Sequence, residues 1–294
     1  MAKQVWAIVV LYHPEPGLVE AQYAAVQSQV DRVVYVDNGG GREALSVVFT
    51  RSAEGSAVEV IGDGVNLGLG AALNAALERA TQSDAAYALL LDQDSIPEPD
   101  MVANLRRGFD LDRGTVLAVG PAILDELTGR LEYFARLGLP VNRRVHTAQQ
   151  AGAEFFDVDF LITSGTLVQV DLLAQAGVMD AELFIDSIDF DWSFHARSRG
   201  FRLLATFSAV LRHRRGDDVQ HLPGGRVLRL HSSTRAYYMH RNRVRLYRRP
   251  YVPLAWKVHD VVRMVVKLAV MAVFAPDRRG KLTAALRGLR DGLR

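Results

Sequence analysis

The sequence predicts an α/β fold built on a mostly parallel sheet, and three observations predict it. Short apolar runs at 5–12, 32–36, 58–61 and 86–91 have the length and β-branched character of strands buried on both faces. Segments with helical spacing lie between them, at 18–30 and 71–80. Polar residues follow each strand at once: Tyr12-His13, Asp37-Asn38, 63–66 and 92–95. Strands alternating with helices need crossover connections, so the strands run one way and their carboxyl ends share an edge. Ligands of open sheets bind beyond that edge, which makes the four loops candidates for one site.

With 294 residues, 49% apolar and 23% charged, the chain has room for one large α/β domain or two modest ones with an ordinary core. The absence of cysteine excludes disulfides, thiolate metal sites, iron–sulfur clusters and cysteine nucleophiles, so any metal must be held by oxygen or imidazole. The first apolar run follows a lone Lys3 and meets His13-Pro14-Glu15 without a small-residue cleavage site, so it reads as a buried strand and not a signal peptide. The net charge of +2 hides a segment at 197–249 dense in Arg and His, with the carboxylate clusters upstream of it.

The strand at 32–36 ends in the turn signal Asp37-Asn38-Gly39-Gly40, and the strand at 58–61 runs into a glycine-rich loop over 62–70. From 116 to 170 the pattern is less regular, with strand-like pieces at 116–119, 155–162 and 166–170, where antiparallel additions are expected. A strand at 207–211 and a helix at 234–247 follow. The apolar segment 252–274 contains Lys257, His259, Asp260, Arg263 and Lys267, too many interruptions for a membrane span, and reads as an amphipathic helix. There is no internal repeat and no low-complexity tract.

Asp92-Gln93-Asp94 follows Leu89-Leu90-Leu91, so two carboxylates emerge from a buried strand. Such a pair can hold a hard divalent ion that bridges phosphates, and can equally be a polar cap on a strand end. Asp37 can accept from a pyrimidine N–H or serve as a turn aspartate beside glycines. GDGVNLGLGAALN at 62–74 lacks both the GxGxxG spacing and a Walker lysine, which disfavours a dehydrogenase; its backbone N–H groups and helix start still suit a nucleotide. Asp186, Asp189 and Asp191 lie beside Phe190 and Trp192. A poorly solvated carboxylate there gains base strength, while acids at a helix start are favoured by the macrodipole without any catalysis. His213, crowded by Arg212, Arg214 and Arg215, reads as a neutral metal ligand or as a surface histidine in a basic loop.

Taken in order, VVLYHPEP, VDNGG with VNLGLGAALNAAL, LLLDQDSIP, and FIDSIDFDWSFHARSRGF followed by RHRRGD resemble the inverting family 2 glycosyltransferases of the GT-A fold, especially their bacterial rhamnosyltransferase branch. The resemblance implies a Rossmann-like, mostly parallel mixed sheet with helices on both faces and a C-terminal helical extension. It implies donor nucleotide contacts for Tyr12, His13, Asp37, Asn66, Gly68, Asp92 and Gln93, and a Mg or Mn ion on Asp92 and Asp94 with His213 completing the site. It further implies a general base in the acidic element before Trp192, Asp189 ahead of Asp191, and a donor-sugar or acceptor pocket at Thr163, Ser164, Gly165 and Trp192. Ile188 stands where many relatives have Glu and His195 where many have Arg, departures that bear on acceptor binding.

On this resemblance a catalytic domain is expected over 1–230, with a nucleotide-binding half at about 1–115, an acceptor half at about 116–230, and a basic amphipathic helical extension over 231–294. The expected reaction is metal-dependent, inverting transfer of a sugar to a saccharide or lipid-linked saccharide in bacterial cell-surface polysaccharide synthesis. The first-choice donor is dTDP-rhamnose and the second a UDP-sugar. No nucleic-acid partner is expected. Residues 252–274 read either as a helix on an anionic membrane surface or as a packing or homo-oligomer helix, and the expected location is the cytoplasm or the inner face of the cytoplasmic membrane. Two competing readings remain. A nucleotidyltransferase calls for a glycine- and lysine-rich loop that HPEPG is not, and the other is a non-catalytic nucleotide-sugar binding protein.

Overall fold

The computed structural model describes residues 4–51, 57–213, 218–222, 226–230, 232–274 and 277–294. The chain opens with β1 (Gln4–Leu11), α1 (Pro16–Val26), β2 (Arg32–Asp37), α2 (Arg42–Arg51), β3 (Val58–Ile61), α3 (Leu69–Thr81) and β4 (Ala85–Asp92). These four strands pair in parallel in the order β4-β1-β2-β3, so their carboxyl ends share one edge as the alternation predicts.

The next section adds β5 (Ser95–Pro97), α4 (Met101–Arg107), β6 (Val116–Asp125), β7 (Arg130–Leu131), β8 (Phe134–Arg136), β9 (Arg143–Val145), α5 (Ala148–Ala151), β10 (Phe155–Asp157), β11 (Leu167–Gln169), α6 (Leu173–Ala176), α7 (Ile188–Ser198) and β12 (Arg202–His213). Strand β11 inserts antiparallel between β4 and β6, while β12 runs parallel to β6 and pairs with β10 antiparallel. Because β11 is reversed, the loop leading into it at 163–166 arrives at the edge where β4 ends. The hairpin β13 (Asp218–Leu222) and β14 (Arg226–Leu230) precedes α8 (Ser233–Arg248), α9 (Leu254–Phe274) and α10 (Arg278–Gly292).

Alternation along β1 explains why its sequence is apolar throughout. Trp6, Ile8 and Val10 enter a core shared with α3, α7 and Trp256 of α9, while Val5, Ala7, Val9 and Leu11 enter the opposite core with α1, α2 and α4. Both faces of the sheet are therefore covered by helices. Several boundaries differ from the sequence expectation for local reasons. Helix α1 starts at Pro16, where a missing N–H costs nothing, and α2 and α4 are short helices that periodicity did not single out. The strand expected over 155–162 stops at Asp157. Two residues on, the Asp159 carboxylate accepts from the Leu137 amide at 2.6 Å and pairs with Arg197, diverting the backbone from the ladder. The piece at 207–211 belongs to a twelve-residue β12 with a register shift between Thr206 and Val210, and 166–170 contracts to β11, after which Val170 opens a 3-10 turn.

Among the described residues no helix is long and apolar enough to cross a membrane. Helices α8 and α10 approach until their backbones touch. A Cβ at Gly288 would strike the Tyr237 carbonyl oxygen, and one at Gly292 would lie 2.6 Å from the Arg241 carbonyl oxygen. Gly288→Val is therefore expected to part the two helices and cost about 1–3 kcal/mol, read as a lower urea midpoint at unchanged slope.

Candidate active site

Strand β5 is only three residues long, and it pairs antiparallel with the end of β12 so that Ser95 stands opposite His213. That register carries the imidazole to the acidic turn after β4. Its Nε2 lies 3.7 Å from an Asp92 oxygen and its Nδ1 3.5 Å from an Asp94 oxygen. Ligand atoms of Asp92, Asp94 and His213 all fall within 4.8 Å of one another. Two carboxylate oxygens and an imidazole nitrogen, with both acids partly exposed, suit Mg or Mn and leave room for further oxygen ligands.

Behind the trio, Ser95 Oγ lies 3.0 Å from His213 Nδ1 and 2.6 Å from Ser164 Oγ, and both serines are buried. With Nδ1 engaged there, Nε2 is the nitrogen left available to a metal, since the partner of one ring nitrogen orients the other. The turn itself is braced from below. Gln22, fully buried on α1, donates to the carbonyls of Asp92 and Ser95. The Gln93 amide accepts from Tyr12 N at 2.8 Å and donates to Tyr12 O at 3.1 Å, stitching the loop after β1 to the acidic turn.

The loops after β2 and β3 form the neighbouring wall. Asp37 is buried at the end of β2, and its Oδ1 accepts from the amides of Gly39 and Gly41 at 3.2 and 3.0 Å. Its Oδ2 is turned toward Gly64, where even a Cβ would stand 3.6 Å away. Asn38 accepts from Leu67 N at 2.9 Å and donates to Asn66 Oδ1, which also takes the Gly68 amide. Tyr12 is 49% exposed, its ring laid against Gly39, and His13 meets it edge-on with ring centroids 4.5 Å apart.

The acids around α7 separate into different environments. Asp186 is held by Arg235, whose Nε lies 3.0 Å from Oδ2 and whose Nη2 lies 3.1 Å from Oδ1. Asp191 is 4% exposed and is bound by Arg249 and by the Tyr251 hydroxyl at 2.7 Å. Burial first, and then the Asp191 hydrogen bond, push the Tyr251 phenol well above its usual pKa. Desolvation works against the Arg249 charge, but hydrogen bonds to Asp180 and Asp191 outweigh it and raise its pKa. Asp189 stands partly exposed in the first turn of α7, with Oδ1 accepting the Phe190 amide at 2.9 Å. The segment ahead of it is strained: Phe184, Asp186 and Ser187 all have positive φ, a conformation that costs side-chain-bearing residues about 1–3 kcal/mol each.

The sheet edge thus brings together Tyr12, His13, Asp37, Asn66, Asp92, Gln93, Asp94, Ser164 and His213. Gly165 faces Pro121 and Leu211, and Trp192 is buried with its indole N–H on the Gly177 carbonyl. Trp192 and Thr163 gather with Leu90, Leu161, Ile162 and Thr166 around a gap too small for a water molecule. Gly68, at φ +86, packs against Phe184, joining the glycine loop to the strained segment. Arg212 is ion-paired with Glu98, while Arg214 and Arg215 lie outside the described residues. Sequence reasoning missed Ser95 as the partner of His213, and also Gln22; it placed Asn38 in a candidate loop without its role in tying that loop to Asn66 and Leu67. Ser95 could have been suspected from its place in LLLDQDS, whereas the partners of Gln22 are about seventy residues away and leave no local signal.

The sequence profile of glycosyl transferase family 2 matches residues 7–175. Over its full length the chain is 25% identical to the dTDP-rhamnosyl transferase RfbF of Shigella flexneri and covers 97% of that protein. Among solved structures it is similar to GalNAc-T7 with UDP, GalNAc and Mn2+, with a TM-score of 0.63, 14% identity and coverage of 97% of this chain and 54% of that one. It is also similar to the mannosyltransferase PcManGT of Pyrobaculum calidifontis with GDP-Man and Mn2+, with a TM-score of 0.58, 15% identity and coverage of 99% of this chain and 87% of that one. At these identities the likeness establishes the fold, which is the GT-A arrangement expected from the sequence. In calorimetric titration with Mn2+, Ser95→Ala is expected to weaken binding about 10- to 100-fold by releasing the imidazole. Unchanged affinity would mean that His213 needs no such partner.

Proposed function

The chain belongs to glycosyl transferase family 2, and from that premise we propose that it is a metal-dependent inverting enzyme transferring a sugar from a nucleoside diphosphate donor to a hydroxyl of a saccharide or lipid-linked saccharide. The observation that carries this reading is the Asp92, Asp94 and His213 trio at the edge where the parallel strands end. L-Rhamnose on dTDP is the preferred donor, supported by the full-length likeness to a dTDP-rhamnosyl transferase; a UDP-sugar is the alternative. Cell-surface polysaccharide synthesis is the setting that this donor implies.

In this reading Asp37 Oδ2 accepts from the donor base while the exposed Tyr12 ring covers it. Asp92, Asp94 and His213 supply the ligands of the ion. Held there, a divalent cation supplies Lewis-acid neutralisation of the charge developing on the departing diphosphate. Asp189 accepts the proton of the acceptor hydroxyl as its oxygen bonds to the anomeric carbon and the carbon–diphosphate bond breaks on the opposite face. Engagement favours Asp189 over Asp191, because the Asp191 carboxylate is already held by Arg249 and the Tyr251 hydroxyl, whereas Asp189 stands partly exposed. Positioning and charge neutralisation carry most of the rate, the leaving group being already activated.

With Mn2+ present, transfer or donor hydrolysis is expected with dTDP-rhamnose ahead of UDP-hexoses, and chelation abolishes it. Asp189→Asn is expected to lower kcat about 100- to 10,000-fold with donor binding retained. Activity indifferent to metal and intact in Asp94→Ala would sink the mechanism.

The C-terminal helices suggest where the acceptor is met. Lys257 donates to the Arg249 carbonyl, His259 reaches the Gly138 carbonyl, and Asp260 is buried on Tyr247 and Arg243, so these three face the protein. The outer face of α9 carries exposed Leu254, Val258, Val262, Val265 and Val266, bordered by Arg263, and α10 exposes Arg278, Arg279 and Arg287. An apolar stripe flanked by cations fits an anionic bilayer surface, onto which this face would bring the enzyme from the cytoplasm. In flotation with phosphatidylglycerol vesicles the full chain is expected to rise with the lipid and the Val262→Glu, Val266→Glu double variant to stay behind. Equal partitioning ends the membrane reading, and loss of a concentration-dependent dimer in the variant assigns the face to a second copy instead.

A further inference from the structure

We propose that α8 is part of the transfer machinery, with Asn242 and Arg235 as positioning residues that hold the 183–187 segment and, through it, the Asp189 carboxylate. The inference rests on Asp189 being the base. Asn242 is fully buried, and its Nδ2 lies 2.8 Å from each of three carbonyl oxygens, those of Leu183, Ile185 and Asp186. Arg235, two turns earlier on the same helix, grips the Asp186 carboxylate from Nε and Nη2. Arg241 donates to the carbonyls of Glu182 and Leu183, and the Tyr238 ring stacks on Phe184 with centroids 4.7 Å apart. One face of α8 therefore follows the backbone of this segment residue by residue.

The segment needs such a template. Phe184, Asp186 and Ser187 have φ of 63°, 64° and 67°, so three of four successive residues have positive φ without being glycine. Helix α7 begins at the next residue, with Ser187 O accepting the Asp191 amide, so the dihedrals of 184–187 set the direction in which the first turn, and Asp189, points. The other side of the segment touches the glycine loop. The Phe184 carbonyl accepts from Leu69 N at 2.6 Å, and a Cβ at Gly68 would collide with the Phe184 ring and carbonyl. The glycine loop thus braces the segment from the side opposite α8, and the clamp itself acts on the turn that leads into α7. Only a neutral amide serves at 242, because a carboxylate would set negative charge against three carbonyl oxygens.

The test compares Asn242→Asp, Arg235→Ala and Arg235→Lys with the full-length wild type in Mn2+. In the folded variants kcat is expected to fall about 10- to 100-fold while donor KM and Mn2+ affinity stay within about twofold, with Arg235→Lys recovering part of the loss. Hydrogen exchange is expected to rise at amides 183–191 and stay unchanged at 92–95. Arg235, partly exposed, keeps the test available if Asn242→Asp does not fold. Wild-type kcat in the folded variants overturns the proposal, as does an equal loss of kcat and donor affinity, which is what a general structural role produces. Asp189→Asn measured alongside separates the two readings. If it keeps full activity, the base assignment fails and this proposal with it; if it is inactive while Arg235→Ala keeps wild-type kcat, the clamp alone fails.

Discussion

Three residues of antiparallel pairing between β5 and β12 set the geometry on which the rest of the site depends. Side chains alternate across a strand, so a slip of one residue would turn His213 to the opposite face and away from Asp92 and Asp94. The register is held from several directions. Leu211 and Arg212 pair with Pro97 and Ile96 on one side and with Ile123 and Leu124 of β6 on the other, while Gln22 ties the Asp92 and Ser95 carbonyls from α1. Side chains on paired strands are more sharply placed than those on a free loop: Asp92 and His213 inherit the precision of a hydrogen-bonded ladder, and Asp94 sits in the two-residue turn between β4 and β5.

The parallel half of the sheet was legible because buried strands must be apolar on both faces, and the polar residues after them then mark one edge. Asp37, Asp92 and Asp94 stand at that edge as the pattern predicted. What the pattern could not tell was how each polar group is spent. Asp37 serves as the turn aspartate beside glycines through Oδ1 and still turns Oδ2 toward Gly64, so the two readings of that residue are compatible. Gln93 braces Tyr12, and Ser164, read as part of a sugar pocket, lies on Ser95 behind the Asp92, Asp94 and His213 trio. Each of these turns on an interaction between residues far apart in the chain, which periodicity and spacing do not encode. The partial exceptions are the charged residues of α9: helical spacing revealed an amphipathic helix, yet Lys257 and Asp260 belong to its inner face.

Charge as well as apolar packing seats the C-terminal helices. Arg249, just after α8, joins Asp180 and Asp191 of the sheet-bearing part, while Arg243 and Tyr247 of α8 hold a buried Asp260 of α9. Removing one partner of such a pair leaves an uncompensated buried charge, costing about 3–5 kcal/mol. Apolar side chains at the same place would cost less to separate and could pack again in a shifted position. Burial likewise lowers the pKa of His240, whose neutral ring sits 2.7 Å from the Ala236 carbonyl through Nδ1 and is better suited to the core for lacking charge. These polar ties specify one seating of α8 and α9 among the many that apolar faces would permit.

A single seating matters because of the strain at 184–187. Three non-glycine residues of positive φ within four positions would relax in an isolated loop, since each is held against its own preference. They persist here because Asn242, Arg235 and Arg241 on one side and the backbone at Gly68 and Leu69 on the other over-determine the path. The strain in that turn is offset by interactions outside it, and the result is one backbone path into the first turn of α7. Asp186 and Asp191 serve the fold by anchoring α8 and the start of α9, and that anchoring is what presents Asp189, lying between them in sequence, in one direction. An electrostatic site gains most from groups already aimed before the substrate arrives, because no reorganisation then adds to the barrier. Two of the three acids thus fix the turn and the helix start from which the third projects.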